Sequence, residues 1–150
     1  MPDHVDGIRY LTTYDLELIN QRIIEETSPE EPSGVLRFND LSSAQQRPAH
    51  TRWYGQTEDL YLLGASLYCG LIWNHPFHNA NKRTAFAACR MFLMLNGAYL
   101  NPPPEEAVDI ALDSVQRLID ETHVASWLAM RSAPQDPSSA DWSQLLTTPC

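Results

Sequence analysis

From Leu60 to Trp73 the chain carries almost no polar side chain, and its apolar residues go nearly all the way round a helix. Leu60, Leu63, Leu67 and Leu71 fall at helical spacing, with Leu62, Tyr68 and Ile72 beside them. A helix apolar on most sides must be surrounded by others, which makes this the predicted centre of the fold. The stretch is shorter than the roughly 20 residues that cross a bilayer, and Gly64, Ser66 and Gly70 interrupt it, so a membrane span is not expected. Thr57 is the predicted cap, Glu58 and Asp59 suit the positive end of the helix dipole, and Pro76 ends the run. A second long helix is predicted from about Lys82 to Asn96. Ala85, Ala88, Phe92 and Leu95 share its stripe, and Gly97 supplies the left-handed position after it.

The remaining segments read as further helices around this pair. Thr12 caps one that runs to about Glu26: Asp15 answers as in a capping box, Leu11 staples to Leu16, and Leu16, Ile19 and Ile23 mark its buried face. Ser28-Pro29-Glu30-Glu31-Pro32-Ser33-Gly34 is a loop by composition. Val35-Leu36-Arg37-Phe38 is predicted as a short extended piece, after which Asp40 caps a brief helix through Ala44 that stops ahead of Pro48. Beyond the stiff Pro102-Pro103-Pro104 connection, Val108, Ala111, Leu112, Val115 and Ile119 repeat at helical spacing. A last short helix after Thr122 carries Val124, Trp127 and Leu128.

The predicted class is all-α, a helical bundle with one small β-hairpin-like flap. A chain of 150 residues buries about 68–70% of its unfolded surface, enough for one domain without staples. Residues 10–131 are expected to form that domain, with residues 1–9 flexible and 132–150 a loose tail unless Trp142 and Leu145 dock back. Three cysteines cannot all pair, and Cys69 and Cys89 sit in apolar helical patterns, so they are read as reduced packing residues. The N-terminus shows no basic stretch followed by an apolar one, hence the expectation of a cytoplasmic protein.

A formal charge of −9 disfavours duplex DNA as a partner, because phosphate-tracking surfaces are basic. The charge is unevenly distributed. Between Ser33 and Pro104, Arg37, Arg47, Arg52, Lys82, Arg83 and Arg90 face only Asp40, Glu58 and Asp59, while both flanks are acidic. A small anion bound to the middle segment remains compatible with this pattern.

The densest polar run, His75-Pro76-Phe77-His78-Asn79-Ala80-Asn81-Lys82-Arg83-Thr84, joins the two most apolar helices. Asn81 is a good N-cap, which would leave the amides of Lys82, Arg83 and Thr84 free at a helix start, a natural anion site. Arg83 suits bidentate contact with phosphate, and Lys82, the only lysine in the chain, adds a point charge. His75 offers an imidazole able to accept a proton near neutrality, Phe77 is expected to point inward and pin the turn, and Asn79 offers a neutral oxygen to Mg²⁺. Together these describe phosphoryl or nucleotidyl transfer. Blander readings fit the same spacing. His75 equally suits a helix C-terminus stabilised by the dipole, and Lys82 and Arg83 suit a solvated first turn, although cations there oppose the dipole unless an anion offsets them. A zinc site from His75, His78 and Cys69 or His50 lacks any CxxC or HxxxH pair to complete it.

Residues 75–83 resemble the signature of the Fic/Doc family, His-x-Phe-x-(Asp/Glu/Asn)-(Gly/Ala)-Asn-(Gly/Lys)-Arg, in order and spacing. The likeness extends from about Tyr10 to Met130. Tyr10-Leu11-Thr12 resembles the opening of Doc (death-on-curing) proteins, Gly34 to Ala44 and Arg47-Pro48 their flap and following helix, and Ser126-Trp127-Leu128 their closing helix. The resemblance implies a Fic fold using ATP and Mg²⁺. His75 would be the general base, Asn81, Lys82, Arg83 and Thr84 the nucleotide-binding group, Asn79 the metal position, and Val35, Leu36, Arg37 and Phe38 the flap that docks a target backbone. Lys82 where Fic enzymes have Gly, and Phe86 where they have a second Arg, imply the Doc branch. Its reaction is transfer of the γ-phosphate of ATP to a Ser or Thr hydroxyl of a protein of the translation machinery, elongation factor Tu being the target suggested. AMP transfer to a protein hydroxyl and an inactive nucleotide- or protein-binding module are the alternatives. Family members are often restrained by a (Ser/Thr)-x-x-x-Glu-(Gly/Asn) segment. Thr13 to Glu17 is followed by Leu18 and Thr27 to Glu31 by Pro32, so neither completes it, and the expected restraint is an antitoxin chain acting in trans in a bacterial cytoplasm.

Overall fold

A computed structural model describes residues 3–5 and 7–139. Helix α3, Leu60–Asn74, is its axis, with every residue from Leu63 to Ile72 buried. The antiparallel strands β1 (Asp3–Val5) and β2 (Ile8–Tyr10) open the chain, followed by α1 (Thr13–Thr27) and α2 (Phe38–Tyr54). After α3 come α4 (Asn81–Leu95), β3 (Ala98–Leu100), α5 (Pro104–Val115), α6 (Glu121–Met130), β4 (Ser132–Pro134) and a 3₁₀ turn at Pro137–Ser139. β3 pairs antiparallel with β4. Helices α2, α4, α5 and α6 all pack on α3, and α1 covers α4. The all-α class is what the structure shows.

Several local expectations hold in detail. Thr12 caps α1 with a complete capping box to Asp15, the loop after Thr27 follows the run of breakers, and Ala85, Ala88 and Phe92 are buried on α4. Others need correction. Helix α2 does not stop ahead of Pro48. The proline lies on the same buried stripe as Leu41 and Ala44, and packing of that stripe outweighs the roughly 3 kcal/mol cost of an interior proline. Asp59, not Thr57, caps α3: its carboxylate accepts from the amides of Tyr61 and Leu62, while the Thr57 hydroxyl accepts from Asp59 N. Helix α6 begins at Glu121, ahead of Thr122, with Asp120 as its cap.

On α5 the buried face is Ala107, Ile110, Ala111 and Ser114, whereas Leu112 and Val115 are exposed. That face is joined to α3 by Trp73, whose Nε1 donates to Ser114 O at 2.9 Å. Glu106 then joins α5 to the end of α6. Its carboxylate accepts from Arg131 Nε at 2.8 Å and Trp127 Nε1 at 3.0 Å, and the Arg131 guanidinium, aided by the indole, holds that carboxyl below the usual range.

Ile8 is buried as part of a strand, and Ser132–Pro134 is tied to β3. Trp142 and Leu145 lie outside the described residues. No helix among the described residues is long and apolar enough to cross a membrane.

Candidate functional site

The polar run lies where α3 ends and α4 begins, between two residues held in the left-handed region. His75, the C-cap of α3, has φ 51° and ψ 54°, and Ala80, the N-cap of α4, has φ 60° and ψ 33°. Non-glycine residues in that region carry about 1–2 kcal/mol of strain each, sustained only where surrounding contacts over-determine the backbone. Those contacts are present. Phe77 is 1% exposed, and both its backbone groups bond the Asn81 side chain: Asn81 Oδ1 accepts from Phe77 N and Asn81 Nδ2 donates to Phe77 O, each at 3.0 Å.

This pairing corrects the expected role of Asn81. It is the first residue of α4 and not its cap, and its buried side chain is engaged within the loop, so only its backbone amide remains for a ligand. The helix frame shifts accordingly. Thr84 N donates to Ala80 O at 2.9 Å and opens the helical ladder, so the amides that precede the ladder belong to Asn81, Lys82 and Arg83. Thr84 is fully buried and its hydroxyl accepts from Asn20 Nδ2 at 3.1 Å, which removes it from the nucleotide-binding group.

Asn20 itself was not foreseen. Fully buried on α1, it donates to Asn79 O at 2.9 Å and to Thr84 Oγ1, and accepts from Gly34 N at 3.0 Å, joining three segments at one amide. Its signal was visible as a polar residue one helical turn after Leu16, within the apolar stripe that includes Ile19 and Ile23.

His75 is exposed, and its Nδ1 lies 3.2 Å from Ile72 O. A carbonyl only accepts, so this contact calls for hydrogen on Nδ1 and leaves the lone pair on Nε2. His75, His78 and residues 79–83 line a cavity of about 250 Å³. That is below the roughly 300–1,000 Å³ of pockets that enclose whole ligands, and it suits a phosphate chain better than a complete nucleotide. Lys82 is exposed on this lining. A larger concavity of about 580 Å³ lies at the far end of α4, beside Arg9, Glu58 and Asn96. It meets a helix C-terminus, whose carbonyls disfavour anions.

Arg83 departs from the expected bidentate phosphate geometry. Its Nη1 donates to the Thr27 hydroxyl and lies 3.4 Å from Ser28 Oγ, and Nη2 stands 4.0 Å from Glu31. Thr27 and Glu31, the pair whose spacing failed to complete the restraint pattern, therefore meet on this guanidinium. Asn79 Nδ2 donates to Pro32 O at 2.9 Å, leaving Oδ1 as its acceptor. One neutral oxygen fits an ion that arrives already bound to a triphosphate better than a resident one. Among the described residues no group of three His, Cys, Asp or Glu side chains converges as a metal site.

The flap residues are joined to the same loop. Val35 forms an antiparallel bridge with Phe77, and the amides of Leu36 and Arg37 donate to Pro76 O at 2.8 and 3.1 Å. No self-contained hairpin forms there, and Phe38 is the first residue of α2 rather than part of an extended piece, with its ring exposed. Leu36 is exposed as well.

A search of curated proteins finds no match to the chain. The model of the Fic/DOC family matches residues 10–93, more than half of the chain and the whole of α1 to the body of α4 including the strained loop. With that match and the all-α fold around the loop, the chain belongs to the Fic/DOC family.

Proposed function

We propose that this chain is a Doc-type phosphotransferase, moving the γ-phosphate of ATP to a Ser or Thr hydroxyl of a target protein. Family members are often transferases that use ATP, generally with a metal. The observation that carries the finer reading is the cavity shared by His75 and Lys82: an imidazole with its lone pair on Nε2 opens onto the same small space as a helix start and an ammonium. Lys82 in place of glycine narrows the approach of a nucleotide to the backbone, and buried Phe86 stands where AMP-transferring members carry a second arginine.

In the proposed step the acceptor oxygen attacks the γ-phosphorus, the bond to the β–γ bridging oxygen breaks, and ADP leaves. The hydroxyl proton passes to His75 Nε2. The amides of Asn81, Lys82 and Arg83, with the Lys82 ammonium, hold the phosphate charge. Asn79 Oδ1 would hold Mg²⁺ brought by ATP, an ion that supplies charge neutralisation on the phosphates. The target backbone adds along residues 35–37, with elongation factor Tu the target the family suggests, and an antitoxin chain restrains the enzyme in a bacterial cytoplasm.

A second reading is favoured by one observation. Thr27, Ser28 and Glu31 hold Arg83 and Asn79 brings only a neutral oxygen, which suits a module that binds nucleotide or a partner without turnover. Incubation with cell extract and ATP labelled at the α or γ phosphate separates these readings. Protein label from γ alone supports the kinase, label from α supports AMP transfer, and no label supports the binding module. Transfer that survives His75→Ala would remove His75 from the mechanism.

A further inference from the structure

Residues 34–37 are fastened to the loop that carries His75 by more than backbone pairing. Beside the two amides on Pro76 O, His78 N donates to Gly34 O at 3.1 Å. One side chain completes the seam: Arg37 Nη2 donates to His75 O at 2.6 Å and lies 3.4 Å from Asn74 O. The guanidinium is steadied from behind. Its Nε donates to Asp40 Oδ2 at 2.8 Å, and Asp40 O accepts from Asn74 Nδ2 at 2.9 Å, so Arg37, Asp40 and Asn74 close a ring around the end of α3. Carbonyls there have no partner within the helix and lie at the negative end of its dipole, so a cation is well matched to them.

His75 sits in the left-handed region although it has a Cβ. Its carbonyl points at Arg37 and its ring at Ile72 O in that one backbone conformation. Rotation about φ to the extended region would swing both away together, which couples the carbonyl contact to the Nδ1 contact.

We propose that Arg37 is a positioning residue for His75. By holding the His75 carbonyl it keeps the imidazole in the Nδ1–H form with Nε2 as acceptor, and it ties that state to the flap. The catalytic part of this proposal rests on the phosphotransfer reading of the site; the part that concerns the imidazole does not.

The test follows the His75 ring by long-range ¹H–¹⁵N correlation in the wild type, Arg37→Ala and Arg37→Lys, with folding checked by circular dichroism. The wild type is expected to show hydrogen on Nδ1, Arg37→Ala an averaged signal of both tautomers, and Arg37→Lys an intermediate pattern. A folded Arg37→Ala protein with an unmoved His75 signal would overturn the proposal; should that variant fail to fold, Arg37→Lys decides by the same criterion. In transfer assays kcat is expected to fall about tenfold to a hundredfold, with ATP affinity unchanged within about twofold. A loss confined to ATP affinity would make Arg37 a nucleotide-binding residue and overturn it. If the wild type transfers nothing while the His75 signal still moves in Arg37→Ala, the phosphotransfer reading fails and the positioning role stands.

Discussion

Asn81 and Phe77 form a closed ring across the motif loop, the asparagine amide accepting from one backbone group of the phenylalanine and donating to the other, both at 3.0 Å. With Phe77 buried, neither group has ready access to solvent once the amide is removed. Asn81→Ala is expected to destabilise the protein by about 2–6 kcal/mol, taking about 1–3 kcal/mol for each of the two stranded buried groups. Urea unfolding measures this, and a loss under about 0.5 kcal/mol would mean that the ring does not hold the loop.

Asn20 joins α1 to the loop through Asn79 O and the Thr84 hydroxyl. Asn20→Leu keeps the volume of a buried side chain but strands Gly34 N, Asn79 O and the Thr84 hydroxyl. The variant is expected to lose about 2–4 kcal/mol of stability. Gly34 has φ 109° and its amide bonds Asn20 Oδ1, so its hydrogen exchange should quicken more than that of core amides on α3. Uniform quickening across the chain would point to a global effect instead.

How much of this was legible follows from what each feature depends on. The helices were readable because their causes are local: apolar periodicity, the Thr12 and Asp15 box, and the breakers between Ser28 and Gly34. Pro48 misled because its effect is set by what it packs on, and a proline on the buried stripe of α2 can be retained against its local preference. The motif loop was readable as chemistry and misread as geometry. Asn81 is a good cap in isolation, yet Ala80 in the left-handed region starts the helix one residue earlier and frees the Asn81 side chain for Phe77. Partners distant in sequence, such as Arg83 with Thr27 or Arg37 with His75, depend on how α1 meets α4 and how the start of α2 meets the end of α3, which no spacing rule contains.

Gly70 marks the close approach of α2 to α3. A Cβ built there would lie 2.4 Å from Arg47 Cδ and 3.3 Å from Ala44 Cα. Arg47 in turn donates to Ser66 O at 3.1 Å and pairs with Glu121, binding α2 to α3 and α6. Gly70→Ala should therefore displace Arg47 and cost about 1–3 kcal/mol. The double variant Gly70→Ala, Arg47→Ala is expected to lose less than the sum of the single losses, because truncating the arginine removes the clash. Strict additivity would show that the two residues do not share this space.

The Cys69 thiol is pushed from 9.0 to about 12, first by burial and then by the Glu121 charge, and burial pushes Cys89 up as well. Folded Cys69 therefore keeps its proton while the unfolded chain loses its own from about pH 9 upward. The unfolded state then binds fewer protons, so this contribution to stability falls as pH rises from about 9 to about 12. At about pH 10 the wild type should have lost about 1–2 kcal/mol per thiol relative to a Cys69→Ala, Cys89→Ala protein compared at both pH values. Equal alkaline losses in the two proteins would remove the thiols as the cause.

Lys82 places a cation in the first turn of α4, where the helix dipole is also positive. Without an anion this arrangement is unfavourable, and with one it is favourable, so removing the charge should act with opposite signs on the free and bound protein. Lys82→Gln, which changes helix propensity little, is expected to stabilise the free protein by about 0.3–1 kcal/mol. The same variant should bind ATP about tenfold more weakly and gain less thermal stability on saturation with ATP than the wild type does. Thermal unfolding with and without ATP reads both signs in one experiment. Destabilisation of the free protein with unchanged ATP stabilisation would mean that Lys82 serves the fold and not the phosphate.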